Sequence, residues 1–111
     1  MLNGRRLAEL QALLGENYPT FLQQVLHDMD GPLAHLCAAR TSGDTDGILH
    51  ALHALRGVAS NIGCDDLTAL CAQAEQVLRN GTLPEACLAA IHAAVDRCRT
   101  ILQQEMTSAT R

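Results

Sequence analysis

Ile48, Leu52, Leu55, Ala59 and Ile62 recur at intervals of three and four residues and end at Gly63. Side chains at that spacing share one stripe of an α-helix, which turns about 100° per residue. So narrow a stripe is the face that a helix buries against its neighbours. Similar stripes run through the rest of the chain. Leu7, Leu10, Leu13 and Leu14 keep the spacing up to Gly15, with Asn3 placed to cap a short helix. Phe21, Val25, Met29, Leu33, Leu36 and Cys37 continue it in a helix that starts near Asn17, with Pro19 in the first turn where a missing N–H does no harm. Gly31-Pro32 interrupts this run without shifting its phase, which predicts a kinked or restarted helix rather than a domain boundary. Leu67, Leu70, Cys71, Ala74, Val77 and Leu78 form the next stripe, and Leu88, Ile91, Val95, Cys98 and Leu102 the last.

The residues between the stripes agree with them. Ser42-Gly43 ends the second helix and Asp44 or Thr45 caps the third. Gly63 closes the third, Asp65 caps the fourth, Asn80-Gly81 stops it, and Thr82 to Glu85 reads as a capping box before the fifth. The expected fold is all-α: an antiparallel up-and-down four-helix bundle with a short additional N-terminal helix as its lid. The 111 residues suit a single domain over residues 1–106, with 107–111 expected to be a disordered tail. Aromatic residues are only 2% of the chain, so the core must be built from Leu, Ala, Val, Ile and Cys, which argues against an all-β fold.

Charge and composition exclude several classes of function. The net charge of −4 comes without any basic cluster, which argues against nucleic acid as a main partner. No apolar run approaches a membrane span and no signal-peptide segment opens the chain, so a soluble domain with no membrane contact is expected. Five cysteines, odd in number and without a Cys-x-x-Cys pair, read as reduced thiols packed in the core of a cytoplasmic protein.

His53 and Gly57 lie together, well off the stripe of the third helix. A mid-helix glycine costs roughly 1 kcal/mol relative to alanine, and here it stands one turn beyond a histidine that faces water. A residue without Cβ leaves room beside the imidazole for another macromolecule to bring up a phosphoryl group. Arg56 is placed to meet the phosphoryl oxygens with charge-assisted hydrogen bonds. The pattern is that of a phosphoryl-accepting histidine.

His53-Ala54-Leu55-Arg56-Gly57, followed by Ser60 and Gly63, resembles the signature of the histidine-containing phosphotransfer (HPt) family. That signature is His-x-Leu-Lys-Gly with a run of small residues and a closing Gly. Arg56 stands where the family usually has Lys, keeping the charge but not the shape, and Val58 where Ser is common. The resemblance extends over nearly the whole chain, including Leu67, Cys71 and Glu75 on the following helix. It implies a phosphorelay intermediate, in which His53 accepts a phosphoryl group from a receiver-domain aspartate and passes it to another receiver. Arg56, Gly57, Ser60 and Glu75 would form the phosphoryl- and partner-binding site, with Glu75 hydrogen-bonded to one ring nitrogen so that the other faces the donor. The implied partners are receiver domains of response regulators or of a hybrid histidine kinase. The chain itself would need no cofactor, Mg²⁺ being held by the receiver, and it would act as a monomer, free-standing or as the cytoplasmic part of a membrane-bound sensor kinase.

No Gly-rich phosphate loop or kinase signature is present, so no autonomous kinase activity is expected. Three other readings compete. A metal-holding bundle is prompted by His50, His53 and the cysteines, but di-metal bundles use Glu-x-x-His motifs and the chain has none. A structural adaptor would make the histidine motif a coincidence. An HPt-like module that docks a receiver or another protein without relaying phosphate is the main alternative. His50 lacks the cation and glycine that follow His53, and reads as surface, as do His27, His35 and His92.

Overall fold

The computed structural model describes residues 2–109, all but a few of them helical. Five α-helices follow one another: α1 (Gly4–Leu14), α2 (Tyr18–Ser42), α3 (Thr45–Ile62), α4 (Asp65–Arg79) and α5 (Glu85–Ala109), with a 3₁₀ turn at Gly15–Asn17. α2 packs against α3 and α5, α4 packs against the same two helices, and α1 lies on α2. The molecule is a rod of 46 × 21 × 19 Å. Its long dimension follows from α2 and α5, whose 25 residues each span about 37 Å at 1.5 Å per residue.

The stripe of α3 is buried throughout: Leu52, Leu55, Ala59 and Ile62 are fully enclosed and Ile48 nearly so. Each leucine so enclosed contributes about 1.5–3 kcal/mol. The seam of α5, from Leu88 through Ile91, Val95 and Cys98 to Leu102, is buried likewise. Elsewhere the spacing found the helix but not always its inner face. In α2 the enclosed residues are Tyr18, Leu22, Val25, Met29, Leu36 and Ala39, while Phe21 and Leu33 are half-buried and Cys37 is exposed. Leu13 in α1 is 80% exposed, and Val77 in α4 also faces solvent. The helices place these positions beyond the edge of the stripe their neighbours cover.

Helix ends follow the residues that satisfy free backbone groups. Asn3 Oδ1 accepts from the N–H groups of Arg5 and Arg6, and Asp44 Oδ1 from that of Gly47, as the caps require. The cap of α4 differs from expectation. Asp65 is the first helical residue and Cys64 precedes it without a side-chain cap; the Leu67 N–H is met instead by Asp66 Oδ1 at 2.9 Å. Glu85, expected to close a capping box with Thr82, pairs with Arg40 of α2. Pro32 lies inside a helix assigned without interruption, its Gly31 exposed to water. Of the expected tail, Thr107 to Ala109 belong to α5 and residues 110–111 lie outside the described residues.

The N-terminal segment clasps the turn between α3 and α4. Asn3 N–H donates to the Gly63 carbonyl at 2.7 Å, Leu2 forms an isolated antiparallel bridge with Cys64, and Arg6 Nε donates to the Asn61 carbonyl at 3.0 Å. Gly63 makes this possible. Its φ of +82° suits glycine, and a Cβ there would come within 2.9 Å of the Arg6 Cβ.

All five cysteines are free thiols; Cys64, Cys71 and Cys98 are buried, Cys87 is half-buried and Cys37 exposed. Cys37 and Cys87 thus stand outside the core, which corrects the reading of all five as core groups.

Candidate functional site

α3 carries the site because its buried stripe leaves the opposite face to solvent. His53 stands on that face with its side chain 73% exposed. Gly57 follows it one turn later, and a Cβ built there meets nothing within 4 Å. The space is open, as the position off the stripe requires. His53, Arg56, Gly57 and Ser60 of α3, with Thr68 of α4, line a shallow depression of about 250 Å³.

Glu75 lies beneath this depression. Its side chain is only 5% exposed, yet it reaches both signature side chains. Arg56 Nε is 3.0 Å from Glu75 Oε2, an ion pair whose geometry is not aligned as a hydrogen bond. Arg56 Nη2 meets His53 Nδ1 at 2.9 Å. Glu75 Oε1 is 3.7 Å from the same ring nitrogen, beyond a direct hydrogen bond. The guanidinium thus stands between ring and carboxylate and touches both. A guanidinium can only donate, so Nδ1 accepts and, in the neutral ring, the proton sits on Nε2. A carboxylate this enclosed requires a charged partner, and Arg56 supplies it. Arg56 is therefore held in place before any ligand arrives.

Cys71, one turn before Glu75 on α4, is fully enclosed. Burial pushes its thiol up to about 12, the charge of Glu75 adding to the effect and that of Arg56 opposing it. It is an apolar packing group at neutral pH.

Of the residues singled out from the sequence, His53, Arg56, Gly57 and Ser60 share the depression, and Glu75 backs it from α4. Thr68 was not singled out. Seven residues separate it from Glu75, two helical turns, so both occupy one face of α4; taking Glu75 as a marker of that face would have found it. Its hydroxyl donates to the Cys64 carbonyl at 2.9 Å, leaving lone pairs but no free proton toward the depression. His50 is exposed outside this group, its ring 6.1 Å from that of His35. Among the described residues no three His, Cys, Asp or Glu side chains converge as metal ligands, and no helix is long and apolar enough to cross a membrane.

Comparison with known proteins adds three findings. The family model described as "Hpt domain" matches residues 20–106. No curated protein matches the sequence. Among solved structures, histidine-containing phosphotransfer protein B (HptB) of Pseudomonas aeruginosa PAO1 is similar at 29% identity, with a TM-score of 0.89 over 96% of this chain and 95% of that one.

Proposed function

The chain belongs to the Hpt domain family, and on that premise we propose that it is a phosphorelay intermediate whose carrier is His53. Receiver domains of response regulators, or of a hybrid histidine kinase, are its donors and acceptors in this reading. The observation that carries it is the pairing of a 73%-exposed imidazole with unfilled space over Gly57, where a second protein can bring an aspartyl phosphate up to the ring.

The transfer is a displacement at phosphorus. Nε2, the ring nitrogen not engaged by Arg56, attacks; a P–N bond forms as the bond from phosphorus to the aspartate oxygen breaks, and the carboxylate leaves with the electron pair. Mg²⁺ in the receiver would neutralise charge on the group in flight. Attack requires a lone pair on Nε2, hence the ring proton on Nδ1. Arg56 must then release Nδ1, and Glu75 Oε1, at 3.7 Å, is the acceptor within reach of a small ring movement. The freed guanidinium has a new use, since two of its N–H groups can meet phosphoryl oxygens in parallel. Ser60 provides a hydroxyl on the same rim. Arg56 and Glu75 thus exchange partners as the phosphoryl group arrives, and return as it leaves for a second receiver.

The packing of α2 and α4 each against α3 and α5, with short connections between successive helices, supports an antiparallel up-and-down order. The acidic net charge of −4 and single core support a monomer, and the five free thiols support a cytoplasmic setting.

The test is phosphoryl transfer from a phosphorylated receiver to the native chain and to His53→Gln, read as an acid-labile, base-stable label. The native chain should take the label and the variant should not. The resting contact of Arg56 with Nδ1 favours one competitor, a module that docks receivers without relaying; binding without labelling of the native chain by any of several receivers would establish it and overturn the relay.

A further inference from the structure

Cys64 and Cys98 are far apart in sequence and side by side in the fold. Cys64 stands in the turn between α3 and α4, immediately before the first residue of α4, and Cys98 belongs to the buried seam of α5; each is only 1% exposed. Both line one crevice of about 210 Å³, together with Leu2, Asp66, Arg97 and Ile101. An ion pair next to the thiols fixes the two segments against each other, Arg97 Nη2 meeting Asp66 Oδ2 at 3.1 Å. We propose that Cys64 and Cys98 are an oxidation site, a dithiol that hydrogen peroxide converts to an intramolecular disulfide tying the α3–α4 turn to α5.

The two thiols are not equivalent. The Cys64 S–H donates to the Cys98 sulfur, and that hydrogen bond holds the Cys98 thiol below its ordinary range although burial opposes it. The same bond, with burial adding to it, pushes the Cys64 thiol up. The thiolate is the nucleophile in thiol chemistry, so Cys98 is the sulfur that attacks. Its electron pair forms an S–O bond with one peroxide oxygen as the O–O bond breaks, and the departing hydroxide takes up the proton that Cys98 has lost. Cys98 is then a sulfenic acid. The Cys64 sulfur attacks it next: an S–S bond forms, the S–O bond breaks, and the second hydroxide leaves as water with the Cys64 proton. Two thiols and one peroxide thus give one disulfide and two waters, each sulfur losing one electron and each peroxide oxygen gaining one.

The site suits this sequence of steps. Thiols in hydrogen-bond contact start side by side, so rotation of the side chains can bring the sulfurs to the disulfide length of about 2.05 Å. Peroxide is little larger than water, and a crevice of about 210 Å³ has room for it. In the cytoplasm such a bond is transient, since small thiol reductants reverse it by exchange. Neither cysteine lines the depression of His53, and the proposal stands whether or not the relay reading does.

The reduced full chain is treated with hydrogen peroxide, its remaining thiols are alkylated in denaturant, and it is digested with trypsin and an aspartate-directed protease, which parts Cys64 from Cys71. Mass spectrometry without reduction should find the Cys64 and Cys98 peptides joined, lighter by two hydrogen atoms, in a monomeric chain, and dithiothreitol should separate them. In Cys64→Ala no link should form and dimedone, a trap for sulfenic acids, should label Cys98; in Cys98→Ala the label on Cys64 should be at least tenfold weaker. Thermal melts check that each variant is folded, and the peptide map of the native chain decides the matter even if one is not. Full alkylation of Cys64 and Cys98 after peroxide has oxidised the exposed Cys37, linkage of either to another cysteine, or dimedone on Cys64 in preference to Cys98 would each overturn the site.

Discussion

Replacing Gly57 by alanine should make the protein more stable and a poorer relay at once. Gly57 is exposed in the interior of α3, and a Cβ there has no neighbour within 4 Å, so the substitution introduces no clash. Glycine in an exposed helix interior costs about 1 kcal/mol relative to alanine, partly by loosening the unfolded chain. Recovering that amount should raise the melting temperature by about 4–8 °C for a domain of this size. The methyl group meanwhile enters the depression of about 250 Å³ that His53 lines, where the incoming receiver must fit. Gly57→Leu, which keeps most of the helix propensity, fills more of it. Circular dichroism melts and the rate of labelling from a phosphorylated receiver measure the two effects separately. Stability should rise in both variants, and the transfer rate should fall about tenfold or more in the leucine variant, the equivalent of about 1.4 kcal/mol in the barrier. A leucine variant that melts higher and is labelled at the native rate would show that the open space has no part in docking. An alanine variant that melts lower would refute the geometry itself.

Gly63→Ala is the contrasting case: its φ of +82° and the 2.9 Å approach to Arg6 should cost about 1–3 kcal/mol in urea unfolding. Arg56→Ala leaves the enclosed Glu75 without its counter-charge. Because Arg56 is itself 36% exposed, the loss should be about 1–3 kcal/mol, below that for a fully buried pair, and a double-mutant cycle with Glu75→Ala should recover most of it as coupling. Alkaline pH should destabilise the fold. The Cys71 thiol ionises near 9 when unfolded but only near about 12 when folded, first because it is buried, so above pH 9 the unfolded state binds fewer protons. Stability should fall by about 1.4 kcal/mol per pH unit from this group between pH 9 and 12, and Cys71→Ala should flatten that slope in melts taken across the range.

Much of this architecture could be read from spacing alone. In α3 and α5 the file that keeps its phase over the whole helix, Ile48 to Ile62 and Leu88 to Leu102, is also the buried one, and the apolar residues beside it, Leu49, Val58 and Ile101, fall at its edge. α2 was harder because Phe21-Leu22 and Val25-Leu26 are adjacent apolar pairs; either phase is helical, and which member is enclosed depends on where α3 and α5 lie. The signature identified His53, Arg56, Gly57 and Ser60 because all four sit on one helix within two turns. Thr68 escaped because the signature lies on α3, and only Glu75, two turns along the same face of α4, marks it. The triangle of His53, Arg56 and Glu75 was half legible: Glu75 was expected to hold the ring directly, and only the reach of the longer arginine side chain decides that a guanidinium stands between them.

The clasp of the N-terminal segment on the α3–α4 turn also bears on the order in which the chain assembles. Contacts of α2 with α3, and of α3 with α4, join neighbours in sequence, whereas Asn3 meets Gly63 only by closing a loop of 60 residues. Once α2 and α3 have packed, that loop is already closed, so α1 docks most readily on a preformed end of the bundle. It buries just Leu7 and Leu10 there, a gain of about 3–6 kcal/mol set against the entropy of ordering its own residues. That makes α1 the last helix to dock and the first to lift away, while the longer helices stay together. Each lifting would uncover Cys64 at the far end of the helix that carries His53, giving the rod one labile end and one firm one.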